Sequence, residues 1–290
     1  MPTSGDIRFD GQVALITGAG RGLGAAYARL LASRGASVVV HDAGVAPDGS
    51  GFDPGIADEM VQQIAKSGGT AVACHENLES AAGCRRAIEL SLERFGRIDV
   101  LIHNAGLVVF STLEDLDDAT WERMMNVGVQ SAFYLIRAAI PHMRQQGYGR
   151  IVLTTSGRAM RVADAVPGLV AYSMGKMAQL GLMVGLAVEM ESTNIRINAV
   201  SPIAATRVLR RSAPELLPEL VAPGVAFLAS SQCEVSGVVL RAMGGRFSTA
   251  HWSFTDEIDF GRVASTPEGI AARWLEILGR PPNRQGNVPG

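Results

Sequence analysis

Short runs of apolar, β-branched residues alternate along this chain with longer stretches in which apolar positions recur every three to four residues. The first pattern marks strands and the second marks amphipathic helices. Read this way, the chain predicts strands near 12–16, 37–41, 70–75, 98–102, 149–155, 195–200 and 237–241. Helices are predicted near 22–34, 54–67, 79–95, 117–146, 170–192 and 221–230. Strand–helix–strand units joined by right-handed crossovers build an α/β architecture, a doubly wound seven-stranded parallel sheet with ligand sites at the carboxyl ends of its strands.

The 290 residues fit one such sheet domain over 1–245, because no Pro/Gly/Ser-rich linker interrupts it. An extension over 246–280 is expected to pack on that domain or on a neighbouring subunit, and the tail 281–290, opening on Pro281 and Pro282, is expected not to pack. A formal net charge of -2, with 47% hydrophobic and 19% charged residues, describes a soluble, enzyme-like surface and argues against nucleic acid as a partner. Cys74, Cys84 and Cys233 lie far apart, so no disulfide framework or zinc spacing is readable and a reducing compartment fits. The five histidines show no metal-ligand spacing either, so no metal is expected. The longest apolar stretch, Leu180 to Val188, is too short to span a bilayer, and neither terminus reads as a sorting signal, which makes the cytoplasm the expected location.

Chemistry enters at the strand ends. The first strand runs into Thr17-Gly18-Ala19-Gly20-Arg21-Gly22-Leu23-Gly24 and then a helix. Glycines there let the backbone turn tightly and approach an anion, while the helix N-terminus offers free N–H donors, the arrangement of a dinucleotide-binding, Rossmann-like turn. The second strand ends at His41-Asp42, and a carboxylate at that point accepts from both adenosine ribose hydroxyls and repels a 2′-phosphate. NAD is therefore expected over NADP, with Arg21 leaving contact to a 2′-phosphate, to the pyrophosphate or to solvent open. Further along, an apolar strand ends in Ser156, and Tyr172-Ser173-Met174-Gly175-Lys176 follows. A lysine one helical turn from a tyrosine is expected to lower the phenol's pKa and make it a general acid/base.

These motifs together resemble the short-chain dehydrogenase/reductase family over roughly residues 8–245: the glycine turn at Gly18, Gly22 and Gly24, His103-Asn104-Ala105-Gly106 in place of the family's Asn-Asn-Ala-Gly, and Ser156, Tyr172 and Lys176. The resemblance implies that Ser156 orients the substrate oxygen, Tyr172 transfers the proton, and Lys176 lowers the tyrosine pKa and holds the nicotinamide ribose. It implies cofactor contacts from Gly18, Arg21, Gly22, Leu23, Gly24, Asp42, Asn104, Ala105, Gly106, Tyr172, Lys176 and Ile203, and adenine contacts from Glu76, Asn77 and Leu78. Homodimers or homotetramers assembled through helices corresponding to 117–146 and 170–192 are implied as well. Val38 to Gly44, the polar loop 45–53, Ser201 to Arg207, Gly244-Gly245-Arg246-Phe247 and Thr266-Pro267-Glu268 look like the (3R)-hydroxyacyl-CoA and 17β-hydroxysteroid dehydrogenase branch found in peroxisomal multifunctional enzymes of type 2.

Three departures from the family pattern stand out. The helix-four asparagine, which helps hold a relay water in the family, falls on Gly128. Ser156 and Tyr172 are 16 residues apart where 13 is common, so three extra residues enter the loop holding Arg158, Arg161 and Asp164 and are expected to reshape the substrate mouth. Pro202-Ile203 replaces the usual Pro-Gly and adds an apolar wall. Arg207, Arg210 and Arg211 form a cationic cluster that reads as a solvated face or as a site for the phosphates of a CoA thioester. The expectation is an NAD-dependent oxidoreductase interconverting a secondary alcohol and a ketone on a bulky apolar small molecule. An NADPH-dependent 3-oxoacyl reductase and a nucleotide-binding pseudoenzyme scaffold are the alternatives.

Overall fold

The computed structural model describes residues 5–46, 49–205, 214–261 and 266–279. Arg207, Arg210 and Arg211, and the tail 281–290, lie outside the described residues. The strands are β1 Val13–Thr17, β2 Ser37–His41, β3 Thr70–Cys74, β4 Val100–His103, β5 Gly149–Thr154, β6 Ile195–Ile203, β7 Val239–Met243 and β8 Arg246–Ala250. They form one sheet in the order β3-β2-β1-β4-β5-β6-β7-β8. The order reverses between β1 and β4, and in an open α/β sheet the crevice above such a reversal is where ligands bind.

Seven strands are parallel, as the alternating pattern requires, but the sheet among the described residues has eight rather than seven. Gly244 and Gly245 both have positive φ (53° and 75°), the conformation of a tight hairpin, and return the chain as β8 antiparallel to β7. The compact unit therefore runs through Ala250 rather than ending at 245. Strand β6 also outruns its predicted end at 200, because Pro202 and Ile203 stay in register with Ala242 and Met243 of β7.

Helices α1 Gly22–Ser33, α2 Gly55–Lys66, α3 Ala81–Phe95, α4 Asp118–Met125, α5 Ser131–Gln146, the short α6 Gly157–Met160, α7 Val170–Glu189 and α8 Ala222–Leu228 complete this unit. Both faces of the sheet are covered. Phe9, Tyr27, Leu31, Met60 and Val225 pack with Ile16, Val38 and Ile102 on one side, and Ile88, Leu135, Met143 and Met183 pack with Leu15, Leu101 and Ile197 on the other. Such double coverage explains why strands β1 and β4 read as apolar runs. The single helix expected over 117–146 is interrupted by a wide π turn at Asn126–Gln130 between α4 and α5.

The described residues 251–261 and 266–279 belong to a second compact unit. Within it, α9 Pro267–Ala272 is capped by the Thr266 hydroxyl, which accepts from the Gly269 N–H at 3.0 Å, and α10 Trp274–Ile277 follows. No helix among the described residues is long and apolar enough to cross a membrane.

Candidate active site

The turn after β1 is shaped by its glycines. Gly18 and Gly22 have φ of 63° and 57°, and a Cβ on Gly24 would overlap the Gly18 carbonyl oxygen. No side chain caps α1 and its first turn carries no acid, so its leading N–H groups face outward with no side-chain acceptor. The turn is stitched to β4 by Thr17, whose Oγ1 accepts from the N–H groups of Asn104 and Ala105, both at 3.0 Å. The Asn104 amide returns the contact by donating to the carbonyls of Thr17 and Gly18, each at 3.1 Å.

Asp42, buried at the end of β2, is fixed from two sides: Oδ2 accepts from Gly20 N–H at 2.9 Å and Oδ1 from Gly44 N–H at 2.8 Å. Each carboxylate oxygen keeps a lone pair, so the group remains an acceptor of fixed direction. The Arg21 guanidinium turns away, donating through Nη2 to the Val45 carbonyl at 3.2 Å. Asn77 and Leu78 reach the cavity, whereas Glu76 does not. The Glu76 carbonyl instead accepts from His41 Nε2 at 2.9 Å, and His75 and Glu79 line the space beside it.

Ser156 follows β5 and starts α6, its Oγ accepting from Arg158 N–H at 3.3 Å. That leaves its proton for the neighbouring Tyr172 oxygen, whose ionised form it favours. Burial raises the Tyr172 pKa, opposed by the Ser156 hydrogen bond and then by the positive charge of Arg158. The other group that spacing sets beside it is Lys176. Its Nζ sits over the tyrosine ring, 5.7 Å from the centroid, and donates to the Thr154 carbonyl at 2.8 Å. Burial pushes the Lys176 ammonium itself down to about 8. Both side chains come from α7, which places them one turn apart on the face turned to the cavity.

Behind these residues, the π turn is pinned at two consecutive carbonyls. Ser131 Oγ donates to Val127 O at 2.6 Å and also lies 2.7 Å from His103 Nε2. Its one proton serves the carbonyl, so His103 must donate through Nε2. His103 is fully buried and held neutral, its pKa pushed down to about 3 by burial and then by the charges of Lys176 and His41. The neighbouring carbonyl, that of Gly128, accepts from Gln179 Nε2 at 2.6 Å. Sequence reasoning saw an asparagine missing at 128 but did not see this amide arriving from α7.

A cavity of about 710 Å³ opens over these strand ends. Gly18, Arg21, Gly22, Leu23, Asp42, Asn77, Leu78, Asn104, Ala105, Gly106, Ser156, Tyr172, Lys176 and Ile203 line it, while Gly24 packs beneath the turn. Leu107, Val108, Val127 and Ile203 give it apolar walls, Arg158 and Asp164 of the lengthened loop add charge at its mouth, and Arg241 adds charge that the pattern of the chain did not assign to it. Such a space can hold a dinucleotide along the glycine turn with a partly apolar reactant beside Ser156 and Tyr172. No group of His, Cys, Asp or Glu among the described residues is arranged to hold a metal ion.

The short chain dehydrogenase family model matches residues 12–215. A short-chain type dehydrogenase/reductase of Mycobacterium tuberculosis is 36% identical over 271 residues, 92% of this chain and 93% of its own. The peroxisomal multifunctional enzyme type 2 of Mus musculus is 36% identical over 282 residues, 93% of this chain but only 37% of the mouse protein. Among solved structures, a short chain dehydrogenase from Mycobacterium avium superposes with a TM-score of 0.82 at 32% identity, covering 95% of this chain and 98% of that one.

Proposed function

The chain belongs to the short-chain dehydrogenase/reductase family, an oxidoreductase family that binds a nicotinamide cofactor, and from that premise we propose that it is an NAD-dependent dehydrogenase interconverting a secondary alcohol and a ketone. The observation that carries the reading is the convergence of Ser156, Tyr172 and Lys176 on the same cavity that the glycine turn and Asp42 line. The substrate class we favour is a bulky alcohol with an apolar body, of hydroxyacyl or hydroxysteroid type, which fits the walls formed by Leu107, Val127 and Ile203.

When bound, the nicotinamide ring supplies the hydride acceptor or donor. The chain's own residues handle the proton and the geometry. Ser156 gives its one proton to the substrate oxygen, holding that oxygen beside Tyr172. In the oxidative direction the Tyr172 oxygen takes the hydroxyl proton as the carbinol C–H bond breaks, and in reduction it gives that proton back. Arg158 favours the deprotonated tyrosine that oxidation needs. Lys176, buried with one carbonyl partner, keeps two donors for the ribose of the dinucleotide. Asp42, anchored by Gly20 and Gly44, accepts from the adenosine ribose and disfavours a 2′-phosphate, which supports NAD over NADP. Screening acyl-CoA, steroid, terpene and aryl alcohols with NAD and with NADP, read as reduced-nicotinamide absorbance, tests the proposal. Turnover with NAD is the expected result, and a preference for NADP would overturn the reading of Asp42.

A further inference from the structure

We infer that Arg158 anchors an anion subsite in this cavity, set to receive a carboxylate that the substrate carries close to its reacting carbinol. The inference rests on the dehydrogenase reading for the position of that carbinol, and on the following geometry for the anion.

Arg158 stands two residues after Ser156, and its backbone is held by the residues flanking the proposed chemistry. Its N–H donates to Ser156 Oγ at 3.3 Å, and its carbonyl accepts from the hydroxyl of Ser173, the neighbour of Tyr172, at 3.5 Å. The side chain lines the cavity, yet its guanidinium, with five N–H donors, makes no hydrogen bond or ion pair with any described residue. The acid at the same mouth does not neutralise it, because the carboxylate of Asp164 has Arg161 as its ion partner, at 3.5 Å.

Other cations of the cavity are differently placed. Lys176 is bound to the Thr154 carbonyl and Arg21 to the Val45 carbonyl. Arg241, on β7, is unpaired among the described residues and stands in register with Ser201 of β6. Arg158 instead leaves the turn that begins at Ser156, with its backbone held by Ser156 and Ser173, and lines the same cavity as Tyr172, where the alcohol reacts.

An unpaired, partly buried guanidinium beside apolar walls is matched by a full negative charge in planar, two-oxygen geometry, which a carboxylate offers. A thioester or ester offers only a neutral carbonyl oxygen at the same place. The substrate class selected is therefore a hydroxy acid, or the corresponding oxo acid in reduction, with an apolar body.

The test compares 3-hydroxydecanoate with its methyl ester as substrates with NAD, in wild type, Arg158→Met and Arg158→Lys. Because both alcohols meet the same Tyr172, the ratio of their kcat/KM values removes any effect of Arg158 on the tyrosine. Wild type is expected to favour the acid by about tenfold or more, as a charge-assisted pair exceeds a neutral one. The ratio should fall to about one in Arg158→Met and remain well above one in Arg158→Lys. Equal use of acid and ester by wild type, or an unchanged ratio in Arg158→Met, would overturn the subsite and leave the alcohol oxidation standing. If neither compound is oxidised, the dehydrogenase reading fails for these alcohols and calorimetric binding of 3-hydroxydecanoate decides the subsite. Binding about tenfold weaker in Arg158→Met supports it, and equal or absent binding overturns it.

Discussion

The side-chain amide of Gln179 donates to the carbonyl of Gly128 at 2.6 Å, tying the helix that carries Tyr172 and Lys176 to the wide turn that carries Val127. Gln179 is almost wholly buried and lies one turn beyond Lys176, so the contact fixes how α7 sits against the wall of the cavity. Gln179→Leu should lower kcat more than it weakens NAD binding, with a stability loss of ~1–3 kcal/mol for the abandoned carbonyl. Steady-state kinetics beside thermal unfolding check this, and unchanged kcat would remove any positioning role for the pair.

Gly128 itself has room. A Cβ there would meet nothing within 4 Å, and its φ is not in the left-handed region. Gly128→Ala should therefore stabilise the protein by about 1 kcal/mol, and Gly128→Asn should leave turnover unchanged or improved, because glycine is the poorest non-proline residue inside a helix. A fall in melting temperature for the alanine variant would show that the wide turn depends on glycine.

How much of this was legible in the chain follows from the range of the interactions involved. Strands β1, β2 and β4 and the turn after β1 announce themselves locally, because burial on both faces and tight phosphate-type turns constrain adjacent residues. Hairpin β7–β8 was missed although Gly244-Gly245 is a turn signal, because β8, Arg246–Ala250, is an exposed edge strand with little apolar periodicity. The break of the long helix at Asn126–Gln130 has no local signature beyond Gly128, since its partners, Gln179 and the His103–Ser131 pair, come from elsewhere in the sequence. Tyr172 and Lys176 were found by spacing, but the further positive charge that favours the ionised phenol, Arg158, is delivered by α6, and a loop insertion hides that from any spacing rule.

Burial of Lys176 carries a stability signature. Its pKa of about 8 in the fold lies below the ordinary 10.5, so the folded protein releases this proton before the unfolded chain does. Between those values the unfolded state binds more protons, and stability rises with pH, by roughly 3 kcal/mol from this group across the window. Below about pH 8 both states are protonated and the penalty of the buried charge is constant. Lys176→Met should thus be more stable than wild type at pH 7 while losing activity, and should lack the rise between pH 8 and 10.5. Parallel pH slopes in the two proteins would contradict the assignment.

Asp42 offers a separate handle on cofactor choice. Removing its carboxylate in Asp42→Ala takes away both the fixed acceptor and the repulsion of a 2′-phosphate, so NAD should bind more weakly and discrimination against NADP should relax. Dissociation constants from intrinsic fluorescence quenching by the two reduced cofactors measure the change directly. An unaltered NAD-to-NADP preference would mean that Asp42 serves only to hold Gly20 and Gly44.

The central claim is that Tyr172 moves the substrate proton in a site built to hold NAD, and turnover of Tyr172→Phe with NAD binding measured on the same sample tests it most directly. Phenylalanine keeps the ring under Lys176 Nζ and removes only the oxygen that meets Ser156. The account predicts unchanged melting temperature and NAD affinity with kcat lowered by roughly 10²–10⁴-fold, the usual contribution of a positioned proton-transfer group. Turnover close to that of wild type in a folded, NAD-binding Tyr172→Phe protein would contradict it.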